Sequence, residues 1–225
     1  MLKLAIFDLD GTLLNTIEDL GNACNHALKM CGCPERKPEE YNFLVGRGIY
    51  NLFRGALPEG ERNEENIMKM KSFFIPYYNE HKCDRTRPYE GVPEMLGALR
   101  SAGIGLGVAS NKYQEGTEKL VARYFPDIDF VKVIGQRDGR PIKPDPEIVR
   151  EIQAAAGNAT DDETVYIGDS DVDMQTGANA GVRTIGVSYG FRSREELAAY
   201  SPWAVCDTPE EVAGTILENT VMQKK

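Results

Sequence analysis

The segment Asp8-Leu9-Asp10-Gly11-Thr12-Leu13-Leu14 sets two carboxylates two residues apart. In extended chain such side chains point the same way, and Gly11 lets the chain turn sharply after them. A pair of this kind can hold a metal ion, divide the work of nucleophile and acid/base, or simply cap a turn. Three further polar clusters accompany it. Ser110-Asn111-Lys112 offers a hydroxyl, an amide and backbone N–H groups, suited to a phosphate and equally to an ordinary helix cap. In Gly139-Arg140-Pro141-Ile142-Lys143-Pro144-Asp145-Pro146 the prolines hold Lys143 extended, which suits a charge that must be aimed as well as a solvated lysine. In Gly168-Asp169-Ser170-Asp171-Val172-Asp173, Asp169 and Asp173 are four residues apart and can face one side of a new helix. Asp171 reads as an acidic first-turn residue. A metal reading of Asp169 and Asp173 needs a partner carboxylate, and the end of the first apolar run supplies one.

These clusters are useful only if the elements that carry them converge. Lys3 to Phe7 is a short apolar run ended by a turn signal, which predicts a buried strand. Ile104 to Ala109, Phe130 to Ile134, Thr164 to Ile167 and Arg183 to Val187 are runs of the same kind. Between them lie stretches of helical period: Val92, Met95, Leu96 and Leu99 on one face, then Leu120 to Tyr124, then Pro146 to Ala156. Alternation of this kind predicts an α/β fold, a doubly wound, mostly parallel sheet with helices on both faces. Ligands of such sheets sit beyond the carboxyl ends of the strands, where all four clusters fall.

One block breaks the alternation. From Thr16 to Lys82 the pattern is helical: Ile17, Leu20, Cys24, Ala27, Leu28 and Cys31 form one stripe, and Ile67, Met70, Phe74, Tyr77 and Tyr78 another. Pro76 is expected to kink or break the latter helix. The expected division is therefore an α/β core of residues 1–15 and 83–225 and an inserted helical domain of residues 16–82, with hinges at Leu14 to Thr16 and Lys82 to Pro88.

Composition narrows the function classes. The 225 residues are 41% hydrophobic and 27% charged, a globular balance. With 26 basic and 35 acidic residues the net charge is -9, and no basic run is longer than Lys224-Lys225, so a nucleic-acid partner is not expected. There is no apolar run long enough for a membrane span, and Asp8 and Asp10 cut short any signal-like segment, so a cytoplasmic protein without membrane partners is expected. The five cysteines are odd in number and scattered, and His26 and His81 are the only histidines, which argues against both a disulfide framework and structural zinc. Gly103-Ile104-Gly105-Leu106-Gly107 has its third glycine misplaced for a dinucleotide loop and lies within a strand pattern.

Taken together, Asp8-x-Asp10-Gly11-Thr12-Leu13, Ser110-Asn111-Lys112, Lys143 with Pro144, and Gly168-Asp169-x-x-x-Asp173 resemble the four motifs of the haloacid dehalogenase-like phosphohydrolase superfamily. The likeness is strongest to phosphoglycolate phosphatase-like members with a helical cap, and it covers essentially the whole chain. It implies a Mg²⁺-dependent phosphatase acting on a small phosphorylated metabolite. Asp8 would be the nucleophile that becomes an aspartyl-phosphate, and Asp10 its acid/base partner. Asp8, Asp169 and Asp173 together with the Asp10 backbone carbonyl would hold the metal. Lys143 and Ser110 would complete the catalytic set, with Asn111, Lys112, Gly11 and Thr12 around the phosphate. Neutralisation is the main task, since unit charges 4 Å apart repel by about 4 kcal/mol at an effective dielectric of 20. In the cap, Arg47 between Gly46 and Gly48 is the candidate contact to the leaving group, with Asn15 and Thr16 behind it.

The same residues also serve a β-phosphoglucomutase-like sugar phosphomutase, which would shelter the aspartyl-phosphate from water, and a pyrophosphatase or 5′-nucleotidase. Dehalogenation is disfavoured because it needs neither Mg²⁺ nor the Asp10 acid/base. Either a monomer or a homodimer is compatible with the sequence.

Overall fold

The computed structural model describes residues 1–221. In chain order its strands are β1 (Leu4–Phe7), β2 (Leu14–Asn15), β3 (Arg87–Pro88), β4 (Gly105–Tyr113), β5 (Lys132–Gln136), β6 (Thr164–Gly168), β7 (Arg183–Val187) and β8 (Ala204–Cys206). Its helices are α1 (Ile17–Met30), α2 (Tyr41–Leu44), α3 (Ile49–Ala56), α4 (Glu64–His81), α5 (Val92–Ser101), α6 (Gln114–Tyr124), α7 (Glu147–Ala155), α8 (Asp171–Asn179), α9 (Arg194–Ala198) and α10 (Pro209–Val221).

Six of the strands form one parallel sheet in the order β5-β4-β1-β6-β7-β8. Its centre is β1, whose four side chains are fully buried. Ala5 and Phe7 enter a core shared with α5, α6 and α10, while Leu4 and Ile6 enter a second core against Ile148, Val149 and Ile152 of α7. Burial on both faces is why the run is continuously apolar rather than alternating. Each such Leu, Ile or Phe contributes about 1.5–3 kcal/mol relative to exposure. The chain leaves β1 toward β4 and β5, then returns through α7 to β6 on the other side. The switch point therefore lies at β1 and β6, with Asp8 following one strand and Asp169 the other.

The helices α1 to α4 bury their apolar stripes on one another. Leu20, Cys24, Ala27 and Leu28 of α1 meet Phe53 of α3 and Met70, Phe74 and Tyr78 of α4. α4 continues through Pro76 rather than breaking there. Met70, Phe74 and Tyr78 carry the buried face on through that turn, and the packing outweighs the local loss of one backbone hydrogen bond. Entry to and exit from this layer run side by side. Leu14 pairs with Pro88 and Asn15 with Arg87 as an antiparallel ribbon, and buried Asp19 of α1 accepts hydrogen bonds from the Arg85 and Thr86 backbone N–H groups and the Thr86 hydroxyl at 2.8–3.1 Å.

β4 and β8 both depart from the sequence pattern. β4 runs on to Tyr113, so Ser110-Asn111-Lys112 is extended chain before α6 rather than the start of a helix. β8, short and only partly buried, had too few apolar residues to stand out.

Candidate active site

Four strand ends meet around Asp8. The Lys143 ammonium donates to Asp8 Oδ1 at 2.8 Å and to Asp173 Oδ1 at 2.7 Å. Its backbone is fixed by Asn111, whose Oδ1 accepts from Lys143 N at 2.9 Å and whose Nδ2 donates to Lys143 O at 3.1 Å. Asn111 Nδ2 also donates to Gly46 O at 3.0 Å, fastening the loop before α3 to the sheet. Asn111 thus works as a clamp on the lysine and that loop. Ser110 is buried beside Asp8 and Asp10 in the same cleft, and its Oγ accepts from Lys112 N at 3.2 Å.

Asp169 sits opposite. Its Oδ2 accepts from Phe191 N at 2.8 Å, and Thr12 Oγ1 donates to its Oδ1 at 3.3 Å. Gly11 has φ +94, and a Cβ there would stand 2.2 Å from Asp169 Oδ2. Both residues were expected around the phosphate; the side-chain hydroxyl of Thr12 and the bare Cα of Gly11 are instead turned to Asp169. Asp173 is held by the start of α8. Its Oδ2 accepts from Ser170 Oγ at 2.5 Å and Ser170 N at 3.1 Å, and its Oδ1 from Tyr166 OH at 3.2 Å.

Asp8, Asp169 and Asp173 each offer a carboxylate oxygen, and these oxygens lie within 4.8 Å of one another. All three residues are at most 4% exposed. Burial, then the Asp173 charge, push the Asp8 carboxyl up to about 7 against the opposing pull of Lys143. Burial, then the Asp173 and Asp8 charges, push Asp169 well above the usual range. For Lys143, burial works against the charged form, but Asp173 and Asp8 outweigh it and hold the ammonium protonated. One ammonium does not neutralise three buried carboxylates, and the all-oxygen, closely spaced donor set fits a hard divalent cation. The Asp10 carboxylate stands outside this set.

Asp10 is oriented the other way. Its Oδ2 lies 3.1 Å from Lys112 Nζ, and its buried Oδ1 has no hydrogen-bond partner among the described residues. Lys112, expected at the phosphate, is buried with its ammonium between Asp10 and the Tyr78 hydroxyl of α4, to which it donates at 2.8 Å. A cleft with a cavity volume of about 40 Å³ lies over Asp8 and Asp10. Leu20, Val45, Ile49, Leu52 and Phe74 supply its apolar wall.

Arg47 does not line that cleft. Its guanidinium pairs with Asp171 on the exposed rim, beside Phe43 and Arg192. Gly46 and Gly48 do adopt positive φ, 109° and 80°, but the turn directs the arginine outward and presents backbone to the cleft. Asp171, read as a plain first-turn residue, is the partner of Arg47. Thr16 is fully buried, and its Oγ1 finds no partner among the described residues. Two contributions escaped sequence reasoning. Tyr78 appeared only as an apolar-stripe residue. Phe191 follows β7, a strand end whose Gly190-Phe191 continuation the strand-end rule covered had it been applied there.

A family model described as haloacid dehalogenase-like hydrolase matches residues 5–187. The chain is 36% identical over 196 residues to the phosphoglycolate phosphatase of Agrobacterium fabrum, spanning 84% of this chain and 81% of that relative. It is 31% identical over 198 residues to the pyrophosphatase PpaX of Bacillus velezensis, spanning 88% of each. The crystal structure of a predicted phosphoglycolate phosphatase from Haemophilus somnus superposes with a TM-score of 0.86 at 27% identity, covering 96% of this chain and 98% of that one. No helix among the described residues is long and apolar enough to cross a membrane.

Proposed function

The chain belongs to the haloacid dehalogenase-like hydrolase family as a phosphoric monoester hydrolase, and from that premise we propose that it releases phosphate from a small phosphoglycolate-like monoester through an aspartyl-phosphate on Asp8. The observation that carries this reading is the division of the two aspartates. Asp8 lies with Lys143 and the carboxylate cluster, whereas Asp10, which lines the same cleft, is paired with Lys112 and keeps a buried Oδ1 without a partner among the described residues.

On this reading the substrate phosphoryl group enters over Asp8, with Ser110 and the adjoining backbone to receive its oxygens. Mg²⁺, when bound by Asp8, Asp169 and Asp173, supplies the positive charge that lets a carboxylate approach a phosphate dianion. Lys143 adds a second charge and keeps Asp8 aimed. An Asp8 oxygen attacks phosphorus in line as the bond to the leaving oxygen breaks, and the Asp10 carboxyl gives that oxygen its proton. Asp10, now a carboxylate, takes a proton from the water that attacks the aspartyl-phosphate, and phosphate departs. Residues 16–82 act as a cap that excludes bulk water and walls the leaving group.

Similarity to a pyrophosphatase raises a second reading, hydrolysis of pyrophosphate. The cleft favours the monoester. Its outer wall is apolar, Lys112 is the one cationic residue among the described residues lining it, and that charge already faces Asp10. A highly charged leaving group has little to meet there.

The test compares wild type with Asp8→Asn on p-nitrophenyl phosphate and phosphoglycolate, with and without EDTA. Both the substitution and the chelator should lower phosphate release by at least about 10³-fold, the scale of losing a nucleophile or its electrostatic support. Substantial turnover by Asp8→Asn would remove Asp8 from its role. Transfer of the phosphoryl group to a second sugar phosphate, in place of its release, would indicate a phosphomutase.

A further inference from the structure

Lys112 occupies a position that neither phosphate binding nor simple packing accounts for. Along β4 the pairing with β5 passes from Ala109↔Ile134 to Tyr113↔Gln136, so four steps on β4 oppose two on β5. The irregularity falls on Ser110 to Lys112, and such bulges re-aim side chains that regular pairing would place elsewhere. Here it carries the Lys112 ammonium under the cleft. The residue is 6% exposed, with Nζ 3.1 Å from Asp10 Oδ2 and 2.8 Å from Tyr78 OH. Tyr78 is fully buried on α4, and burial, with the Asp10 charge, keeps its phenol protonated. One ammonium therefore joins the sheet's acid/base carboxyl to the helical layer.

We propose that Lys112 is a positioning residue for Asp10, and that Tyr78 fastens Lys112 in place when α4 is docked on the sheet. Resting on the phosphatase reading above, this assigns a second task to the helical layer besides walling the cleft. Lys112 holds Asp10 Oδ2 at 3.1 Å, and the buried Oδ1 has no partner among the described residues, so this one contact fixes how the carboxyl is turned. In the first step the Asp8–phosphorus bond forms, the bond from phosphorus to the leaving oxygen breaks, and the proton on Asp10 passes to that oxygen. Lys112 touches neither phosphorus nor the leaving oxygen in this scheme. It fixes the direction from which the proton comes. Without it Asp10 is a buried carboxyl free to rotate, with no hydrogen-bond partner at either oxygen among the described residues.

The experiment measures kcat/KM, which reports through formation of the aspartyl-phosphate, for wild type, Lys112→Met, Tyr78→Phe and Asp10→Asn. Three substrates are used: p-nitrophenyl phosphate, whose leaving group needs no proton, propyl phosphate, whose leaving group does, and phosphoglycolate, which adds a carboxylate. Lys112→Met, which keeps the aliphatic stem, should lose about 10²-fold or more on propyl phosphate, the low end for general acid catalysis, and little on p-nitrophenyl phosphate. Asp10→Asn should show the same pattern, and Tyr78→Phe a weaker version of it. Equal losses on all three substrates would overturn the proposal. So would a loss confined to phosphoglycolate, which would make Lys112 a contact to the substrate carboxylate. Tyr78→Phe keeps the ring and the charge, so the proposal stays open to refutation if Lys112→Met melts well below wild type. Failure of wild type on all three esters, by contrast, would count against the phosphatase reading itself.

Discussion

At the scale of the residue, the site is defined by an imbalance of charge. Asp8, Asp169 and Asp173 converge in a buried space, and Lys143 is the one ammonium among the described residues that reaches two of them. Burial first, and Asp173 next, raise the Asp8 carboxyl to about 7. The folded protein therefore holds that proton more tightly than the unfolded chain does. The resulting stability is present below the ordinary carboxylate range and is lost as pH rises through about 7. For Asp8 alone this is worth at most about 4 kcal/mol. A divalent ion among the three carboxylates opposes the same repulsion. The difference in Tm between Mg²⁺ and EDTA should therefore widen from pH 5 to pH 8. A difference that stays flat or narrows would place the ion elsewhere. The types and spacings of Asp8, Asp169, Asp173 and Lys143 announced this convergence in the sequence. The division between Asp8, on Lys143, and Asp10, on Lys112, was not legible, because it depends on a strand irregularity that composition does not mark.

At the scale of the element, the helical layer joins the sheet through two adjacent segments. The ribbon of Leu14–Asn15 and Arg87–Pro88 supplies little pairing of its own. The Asp19 carboxylate, 2% exposed, ties the start of α1 to Arg85 and Thr86. Asp19→Ala would strand two backbone N–H groups and a hydroxyl, costing about 2–3 kcal/mol. For a chain of this size that lowers Tm by roughly 5–10 °C, measurable by calorimetry. A variant melting within a degree of the parent would mean that the clamp contributes nothing. Helical periodicity located α1 and α4 from the stripes of Leu20, Cys24, Leu28 and of Met70, Phe74, Tyr78. The helix does not break at Pro76, because the cost of a proline is local while the gain from the buried face is spread over the whole helix.

At the scale of the whole molecule, the parallel sheet gathers chemistry from positions as distant in sequence as Asp8 and Asp173. The run from Lys3 to Phe7 could be read as a buried strand, though not as the central one, and the rule that ligands sit beyond strand ends then selected Ser110, Lys143 and Asp169. Direction within the cleft was the part hidden from sequence. Arg47 between two glycines gave no sign that it would pair with Asp171, and Tyr78 none that its hydroxyl would reach Lys112. Both contacts depend on how α1 to α4 sit over the sheet, which no local pattern encodes. The proposed mechanism turns on a covalent bond between Asp8 and phosphorus. Borohydride added to the enzyme during turnover of phosphoglycolate should reduce the aspartyl-phosphate and convert Asp8 to homoserine, read from the mass of the peptide that carries it. Asp10, on the same peptide, should remain unchanged. Phosphate release with Asp8 intact, or modification at any other residue, would contradict the mechanism at its first step.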